Sequence, residues 1–110
     1  MKTFEQVKQI AKENKDGFTI SLIGSEIPKK GFVVALKETQ NCFNDKGLKK
    51  VIEVASKTTN LVGGWLDKSE NKFYYDAVMI VEDLENAKKL GKENKQLAIF
   101  NLETETEIRL

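Results

Sequence analysis

The sequence predicts an α+β fold in which about three helices pack on a mainly antiparallel sheet. Two observations support this class: three segments place apolar residues at helical spacing, and each is followed by two strand-like runs. The length of 110 residues fits one domain that spans residues 1–110. An apolar content of 40% with 32% charged residues is typical of a globular chain.

The first helix is predicted over residues 3–15, where the apolar side chains fall on one face. Thr3 and Gln6 have the spacing of a capping box, which satisfies free backbone N–H groups at a helix start. Gly17 can end this helix, because glycine adopts a left-handed backbone conformation at little cost.

Two further helices are predicted over residues 45–58 and 84–95. Asn44 or Asp45 can cap the second helix and Asp83 the third, because their side-chain oxygens accept from free backbone N–H groups. Lysines crowd all three helical segments, a pattern that is typical of solvated helix faces.

Six strands are predicted, two after each helix, from runs rich in β-branched and aromatic residues. They cover residues 18–23, 32–38, 61–66, 72–81, 97–102 and 104–110. The order helix-strand-strand therefore occurs three times, with a period of about 40 residues. An internal duplication would explain this order. Alternatively, any three amphipathic helices align because they share one periodicity.

Two of these strands, in FVVAL and DAVMIV, are apolar at both odd and even positions. Such a strand is buried on both sides, or it carries an apolar face that meets another chain. If the three helices cover one face of the sheet, the second face stays open for a second copy or a protein partner. The alternative is that the helices divide between the two faces.

Residues 61–80 are predicted to form a hairpin around the sequence KSEN. Asn71 suits the end of that loop, because asparagine tolerates the left-handed conformation. Trp65 and Phe73 are expected to pair across the two strands near the turn. The glycine pair at positions 63 and 64 permits a bulge or the close approach of another backbone.

Tyr74 and Tyr75 must point to opposite faces, because strand side chains alternate. One can enter the core while the other stands on the open face, although the hairpin could also be purely structural. The candidate binding residues are Trp65, Tyr74, Tyr75, Asp76 and Arg109. Arg109 is included because it is the only arginine and could hold a carboxylate or a phosphate; alternatively it is an exposed strand residue.

The side chains that catalysis and metal binding most often use are scarce. The chain has no histidine and a single cysteine, Cys42. Cys42 precedes the second helix, where a lowered thiol pKa is one option and a core thiol the other. Asp67 and Asp76 could form a carboxylate pair for a divalent cation, but nothing separates them from surface carboxylates. The sequence therefore predicts a protein that is not an enzyme and that has no metal or cofactor.

Charge and hydropathy limit the expected partners. A net charge of +1 argues against nucleic acid as the main ligand, because non-specific nucleic-acid binders carry a basic excess. No apolar run approaches the roughly 20 residues of a membrane span, and the N-terminus lacks a signal-peptide pattern. A cytoplasmic protein without a membrane partner is expected.

The second half of the chain resembles a known group of sequences. The motifs that carry the resemblance are GGWLD, KFYYD, AKKLGKENKQLAIFNL and EIRL, from about Val62 onward, and more loosely GFVVALKETQN. They are similar to small, mostly uncharacterised proteins of bacteriophages and other mobile elements. The resemblance implies an accessory role in that setting, where small proteins often block a host defence component such as a CRISPR effector.

Three functions are consistent with these features. The first is a non-enzymatic inhibitor that binds a host defence protein, with a homo-oligomer through the open face as a further option. The second is an oligomeric sponge for a small phosphorylated or nucleotide signal, held by lysines, Arg109 and an aromatic side chain. The third is a weak nucleic-acid-binding module. The first is preferred because catalytic groups are scarce and two strands are apolar on both sides.

Overall fold

The computed structural model describes residues 1–24 and 26–110, and the α+β prediction is confirmed. The described residues form three α-helices, six strands and a short 3-10 turn at Lys37–Thr39. In chain order the elements are α1 (Phe4–Glu13), β1 (Gly17–Ser21), β2 (Phe32–Ala35), α2 (Asn44–Ser56), β3 (Leu61–Asp67), β4 (Lys72–Val81), α3 (Leu84–Glu93), β5 (Ala98–Asn101) and β6 (Thr106–Arg109).

The six strands form one antiparallel sheet in the order β1-β3-β4-β2-β5-β6. Strands β3 and β4 are hairpin neighbours, and so are β5 and β6, but β1 and β2 are separated by the β3–β4 hairpin. Residues 22–31 separate β1 from β2 in the sequence. This connector is too long for a tight hairpin turn and long enough to connect two strands that are not neighbours in the sheet. The chain order is helix-strand-strand three times, but the strand pairing is not repeated, so a duplication is not established.

All three helices pack on the same face of the sheet. The odd-numbered side chains of β4, from Phe73 to Val81, point to the helices and belong to two core clusters. The first cluster joins α1 and α2 to β1, β3 and β4, and the second joins α3 to β2, β5 and β6. Met79 packs against both clusters. The helices therefore do not divide between the faces, and no helix of the described chain covers the opposite face.

Helix α1 begins as predicted but ends earlier. The Thr3 hydroxyl accepts from the Gln6 backbone N–H at 3.2 Å, and the Gln6 side chain accepts from the Thr3 N–H at 2.9 Å, which completes the capping box. The helix ends at Glu13, so the prediction that Gly17 ends it is wrong. Gly17 instead opens β1 at φ 148°, where a Cβ would lie 2.8 Å from a carbonyl oxygen of β3.

The start of α3 follows its predicted cap, whereas the N-cap position of α2 is Phe43, whose side chain makes no capping hydrogen bond. The Asn44 side-chain oxygen accepts from the Lys46 backbone N–H at 3.0 Å, so Asn44, rather than Asp45, satisfies the first turn of α2. The Asp83 carboxylate accepts from the Asn86 N–H at 2.9 Å at the start of α3. Local hydrogen bonding therefore fixes where each of these helices begins.

The glycine pair in β3 forms no bulge. The register of β3 with β4 runs without interruption from Val62 to Asp67. On the helix side, ring carbons of Phe18 and Phe73 occupy the space that a Cβ on Gly64 would need. The close approach that the sequence predicts is therefore real, but aromatic rings make it rather than another backbone.

Thr39 continues the pairing of β4 after β2 ends. Its side chain is fully buried, and its Oγ1 accepts from the Ala77 backbone N–H at 3.0 Å and donates to the Leu36 carbonyl at 3.2 Å. The Leu36 N–H donates in turn to the Ala77 carbonyl at 2.8 Å. A side chain thus replaces a strand as the hydrogen-bond partner of β4, which anchors the segment that leads into α2.

We expect Thr39→Val to lower the free energy of unfolding by about 1–3 kcal/mol, because the buried Ala77 N–H loses its acceptor. Urea denaturation checks this. Thr106→Val, in the exposed part of β6, is the matched control and should change stability by less than about 0.5 kcal/mol. Equal losses in the two variants would contradict the anchoring role of Thr39.

Candidate functional site

The side of the sheet that carries no helix, called here the open face, is largely apolar. Tyr74, Asp76, Val78 and Ile80 of β4 point to it, because they alternate with the helix-facing residues. The apolar members of the open face are Val33, Ala35, Leu61, Trp65, Val78, Ile80, Ala98 and Phe100. Strand register places these side chains on one side of the sheet from β3 to β5, where Trp65 and Phe100 are exposed and Val33 and Val78 are buried.

Three aromatic side chains form one end of the open face, called here the aromatic corner: Phe43, Trp65 and Tyr74. The Trp65 ring stacks on Tyr74 with centroids 5.0 Å apart and an interplanar angle of 17°. Phe43 meets Tyr74 edge-on at 5.7 Å. Trp65 remains 46% exposed. The corner is therefore a packed aromatic set with one large ring that faces solvent.

The predicted pairing of Trp65 with Phe73 is wrong. Trp65 lies opposite Tyr74 in the register, and Phe73 lies opposite Leu66. Phe73 faces the helices and stacks on Phe18 with centroids 6.1 Å apart. The difference is one residue of register, and one residue moves a strand side chain to the other face.

The KSEN turn is held by the Asp67 carboxylate. One of its oxygens accepts from the Ser69 hydroxyl at 2.6 Å and from the Ser69 and Glu70 backbone N–H groups. These hydrogen bonds lower the pKa of Asp67. Asn71 has φ 55°, as the sequence predicts. The Tyr74 hydroxyl donates to the Glu70 carboxylate at 2.9 Å, which connects the turn to the aromatic corner and raises the pKa of Tyr74.

Asp76 is a partly buried carboxyl on the open face without a cationic partner. It lies opposite Gly63 in β3, next to the row that holds Trp65 and Tyr74. Burial raises the pKa of Asp76 to about 6, and hydrogen bonding from the Trp65 side chain acts in the opposite direction. The ion pairs of the described residues do not include it. Asp67 is committed to its turn, so the two carboxylates do not form the pair considered from the sequence.

Two of the five candidate residues lie away from the aromatic corner, although Arg109, opposite Ala98, is on the same side of the sheet. Tyr75 points to the helices, is only 7% exposed and packs against Phe73, so it is a core residue. Arg109 lies in the edge strand β6, where its Nε is 3.1 Å from the Glu107 carboxylate. Strands β2 and β5 separate it from β4. The sheet therefore brings Trp65, Tyr74 and Asp76 together and leaves Tyr75 and Arg109 out.

Two residues of this surface were not predicted from the sequence. Phe43 forms a single antiparallel bridge with Tyr74 just before α2, and Lys72 lies 4.6 Å above its ring. Phe100 is 38% exposed on β5, and it alternates with the buried Ile99. That alternation was a usable signal for Phe100. The position of Phe43 depends on a contact with a strand thirty residues away, which no local pattern encodes.

Two cavities lie outside the aromatic corner. One of about 370 Å³ lies on the helix side and is lined by Lys8, Lys12 and Lys15 with apolar side chains of β3 and β4. Lys8 Nζ is 3.0 Å from the Asp45 carboxylate, which raises the pKa of Lys8. The other cavity, about 690 Å³, lies between the margin of the open face and the 26–31 connector.

Reactive groups and metal-ligand clusters do not add to this site. Cys42 is buried, and burial raises the pKa of its thiol, the opposite of the lowered value considered from the sequence. Among the described residues, no group of three or more His, Cys, Asp or Glu side chains is placed to hold a metal ion. Within the same residues, no helix has the length and apolar character needed to cross a membrane.

The fold and the site together define a two-layer α+β domain with one apolar sheet face that no helix of the described residues covers. That face ends in an exposed aromatic corner beside an unpaired carboxyl. No protein-family model, curated protein or solved structure matches this chain. The open face and the aromatic corner supply apolar and aromatic contact area, with Asp76 as a charged group beside them.

We expect Asp76→Asn to stabilise the fold at neutral pH. The pKa of Asp76 in the folded protein lies above the ordinary value of 3.8. The stability that the neutral carboxyl contributes is therefore complete below about pH 4 and is lost as the pH rises through 6. The asparagine variant does not lose this stability. Its free energy of unfolding should exceed that of the wild-type protein by about 1–3 kcal/mol at pH 7.5, since one pKa unit corresponds to about 1.4 kcal/mol. At pH 4.5 the gain should fall to about a third of its value at pH 7.5. Urea denaturation at the two pH values measures it.

The control for this prediction is Asp67→Asn, because the pKa of Asp67 is lowered instead of raised. Its difference from the wild-type protein should have the opposite sign at pH 7.5. A gain for Asp76→Asn that does not depend on pH would mean that the ionised carboxyl is not the source of the instability.

Proposed function

We propose that this chain is a non-enzymatic protein-binding inhibitor that docks through its open face on a protein of a host defence system. The observation that carries the proposal is the apolar open face, which no helix of the described residues covers and which exposes Trp65 and Phe100. Apolar surface around large exposed side chains marks interaction sites in many soluble proteins.

The aromatic corner supports binding to a protein surface. Tryptophan and tyrosine carry much of the binding energy in protein interfaces, because a large ring buries much area and has few rotatable bonds. The stacking of Trp65 on Tyr74 and the hydrogen bond from Tyr74 to Glu70 hold these rings before any partner arrives. Such preorganisation reduces the entropy lost on binding.

The biological setting of the proposal comes from the resemblance of residues 62–110 to phage and mobile-element proteins. An inhibitor of a CRISPR effector or another defence protein needs only to occupy a surface that its target requires. Binding energy alone is enough for that role, which agrees with a chain that lacks histidine. The target would be a host protein in the cytoplasm, and a membrane partner is not part of the proposal.

The two other functions have less support. A phosphate sponge needs Arg109 near lysines and an aromatic ring, but Arg109 lines neither of the two cavities described above and is paired with Glu107. A nucleic-acid module that stacks bases on Trp65 would bring phosphates close to Asp76 and Glu70, which repel them. The lysine-bearing helices lie on the other layer, away from the exposed rings.

We expect the wild-type chain to restore phage plating on a host that carries one active defence system, within a panel of hosts that each carry a different one. Trp65→Ala and Phe100→Ala should lose this effect, because they remove exposed rings from the open face. Leu97→Ala is the matched control, since Leu97 is 77% exposed at the α3–β5 turn and lies outside the open face. No restoration on any host, with the chain abundant in the lysate, would overturn the proposal.

The inhibited component should then form a complex with the purified chain. Trp65→Ala should weaken that complex by about 2 kcal/mol, close to thirtyfold in Kd by titration calorimetry, and Leu97→Ala by less than threefold. Sedimentation of the chain alone provides the opposing test. A dimer that Phe100→Ala dissociates would mean that a second copy covers the open face, and the inhibitor proposal would fail.

A further inference from the structure

We infer that the open-face end formed by Trp65, Tyr74 and Asp76 is a recognition site for an arginine side chain of the partner protein. This inference rests on the proposed function, because it names the chemistry that the docking surface accepts. It goes beyond a general apolar contact, since it assigns a charged group of the partner to one place on the sheet.

The first support is the unobstructed side of the indole. One side of Trp65 is occupied by Tyr74, its neighbour in β4. Its neighbour in β1 is Gly17, which has no side chain, so the flank of the indole that faces β1 lacks a covering residue from that strand. A planar guanidinium binds an exposed indole by stacking and by attraction to the ring electrons, and tryptophan is the best aromatic partner for it.

The second support is the carboxyl in the adjacent row. Asp76 lies opposite Gly63, so no side chain of β3 stands between Asp76 and Thr19 of β1. Asp76 has no cationic partner within the described chain, and its burial removes water that would otherwise solvate its charge. A cation from a partner would replace the lost solvation of the carboxylate. Arginine can do so with two parallel N–H donors.

The charges around the corner favour the same ligand. Glu70 and Asp67 lie at the turn next to Tyr74, and both attract a cation on approach. The turn also carries two lysines: Lys68, and Lys72, which is held 4.6 Å from the Phe43 ring. Phe43 lies beyond Tyr74 as seen from β1, so Lys72 is on the flank away from Gly17. Arginine is preferred over lysine, because only the guanidinium is planar and donates to a carboxylate in pairs.

The test uses three short peptides as probes: acetyl-Gly-Arg-Gly-amide, the same peptide with citrulline, and the same peptide with lysine. Citrulline has the shape of arginine without its charge. Trp65 is the only tryptophan, so its indole N–H gives one unambiguous signal in a ¹H–¹⁵N correlation spectrum. We expect the arginine peptide to shift that signal with a Kd about tenfold lower than that of citrulline, a difference that cation–π and charge-assisted contacts can supply.

Asp76→Asn should reduce the preference for arginine over citrulline to less than about threefold, while the folded spectrum is retained. Glu93→Gln, at the exposed end of α3, is the matched control and should keep the full preference. Equal binding of arginine and citrulline by the wild-type chain would overturn the inference. A stronger shift with inorganic phosphate or a mononucleotide than with the arginine peptide would also overturn it.

These results separate the inference from the proposed function. If Trp65→Ala and Phe100→Ala abolish inhibition but arginine and citrulline bind equally, the open face still docks a protein and the arginine site is wrong. If arginine is preferred through Asp76 but the open-face variants still inhibit, the arginine site stands and the proposed function fails.

Discussion

The two-sided character of β4 is the constraint on which the rest of this structure depends. Its odd-numbered side chains, from Phe73 to Val81, point to the helices and belong to the two core clusters. Met79 packs against both clusters. Its even-numbered side chains include Val78 and Ile80, which are also apolar. The three short helices cover only one face, so Val78 and Ile80 lie on the side without a helix, where Val78 is nevertheless buried and Ile80 is half-buried.

The open face costs the isolated protein stability in two ways. Apolar area that stays in contact with water adds nothing to the free energy of folding. Burial of the same area would contribute roughly 25 cal/mol per Å². Asp76 adds the electrostatic cost of a desolvated carboxylate without a counter-charge, which raises its pKa to about 6. Both costs fall when a partner that carries apolar area and a cation covers the face.

Much of the candidate site followed from strand alternation. Trp65, Tyr74 and Asp76 were candidates because the hairpin at 61–80 was readable from KSEN and its flanking apolar runs, and the turn formed there. Strand alternation places Tyr74 and Tyr75 on opposite faces of the sheet, but it does not determine which of them faces the helices. The pairing of Trp65 with Phe73 failed for the same reason, since a loop of four residues leaves the register open by one position.

The sequence by itself determined the α+β class, the capping residues Thr3 and Asp83, the hairpin and the scarcity of catalytic side chains, because these depend on local hydrogen bonds, periodicity and composition. Only the tertiary structure decided that the helices share one face, that β2 lies between β4 and β5, and that Phe43 completes the aromatic corner. It also decided that two strands, β2 and β5, lie between Arg109 and the strand that carries Tyr74. These features are set by contacts between distant segments, whose free energy depends on how whole surfaces fit together and is not written in any short stretch of the chain.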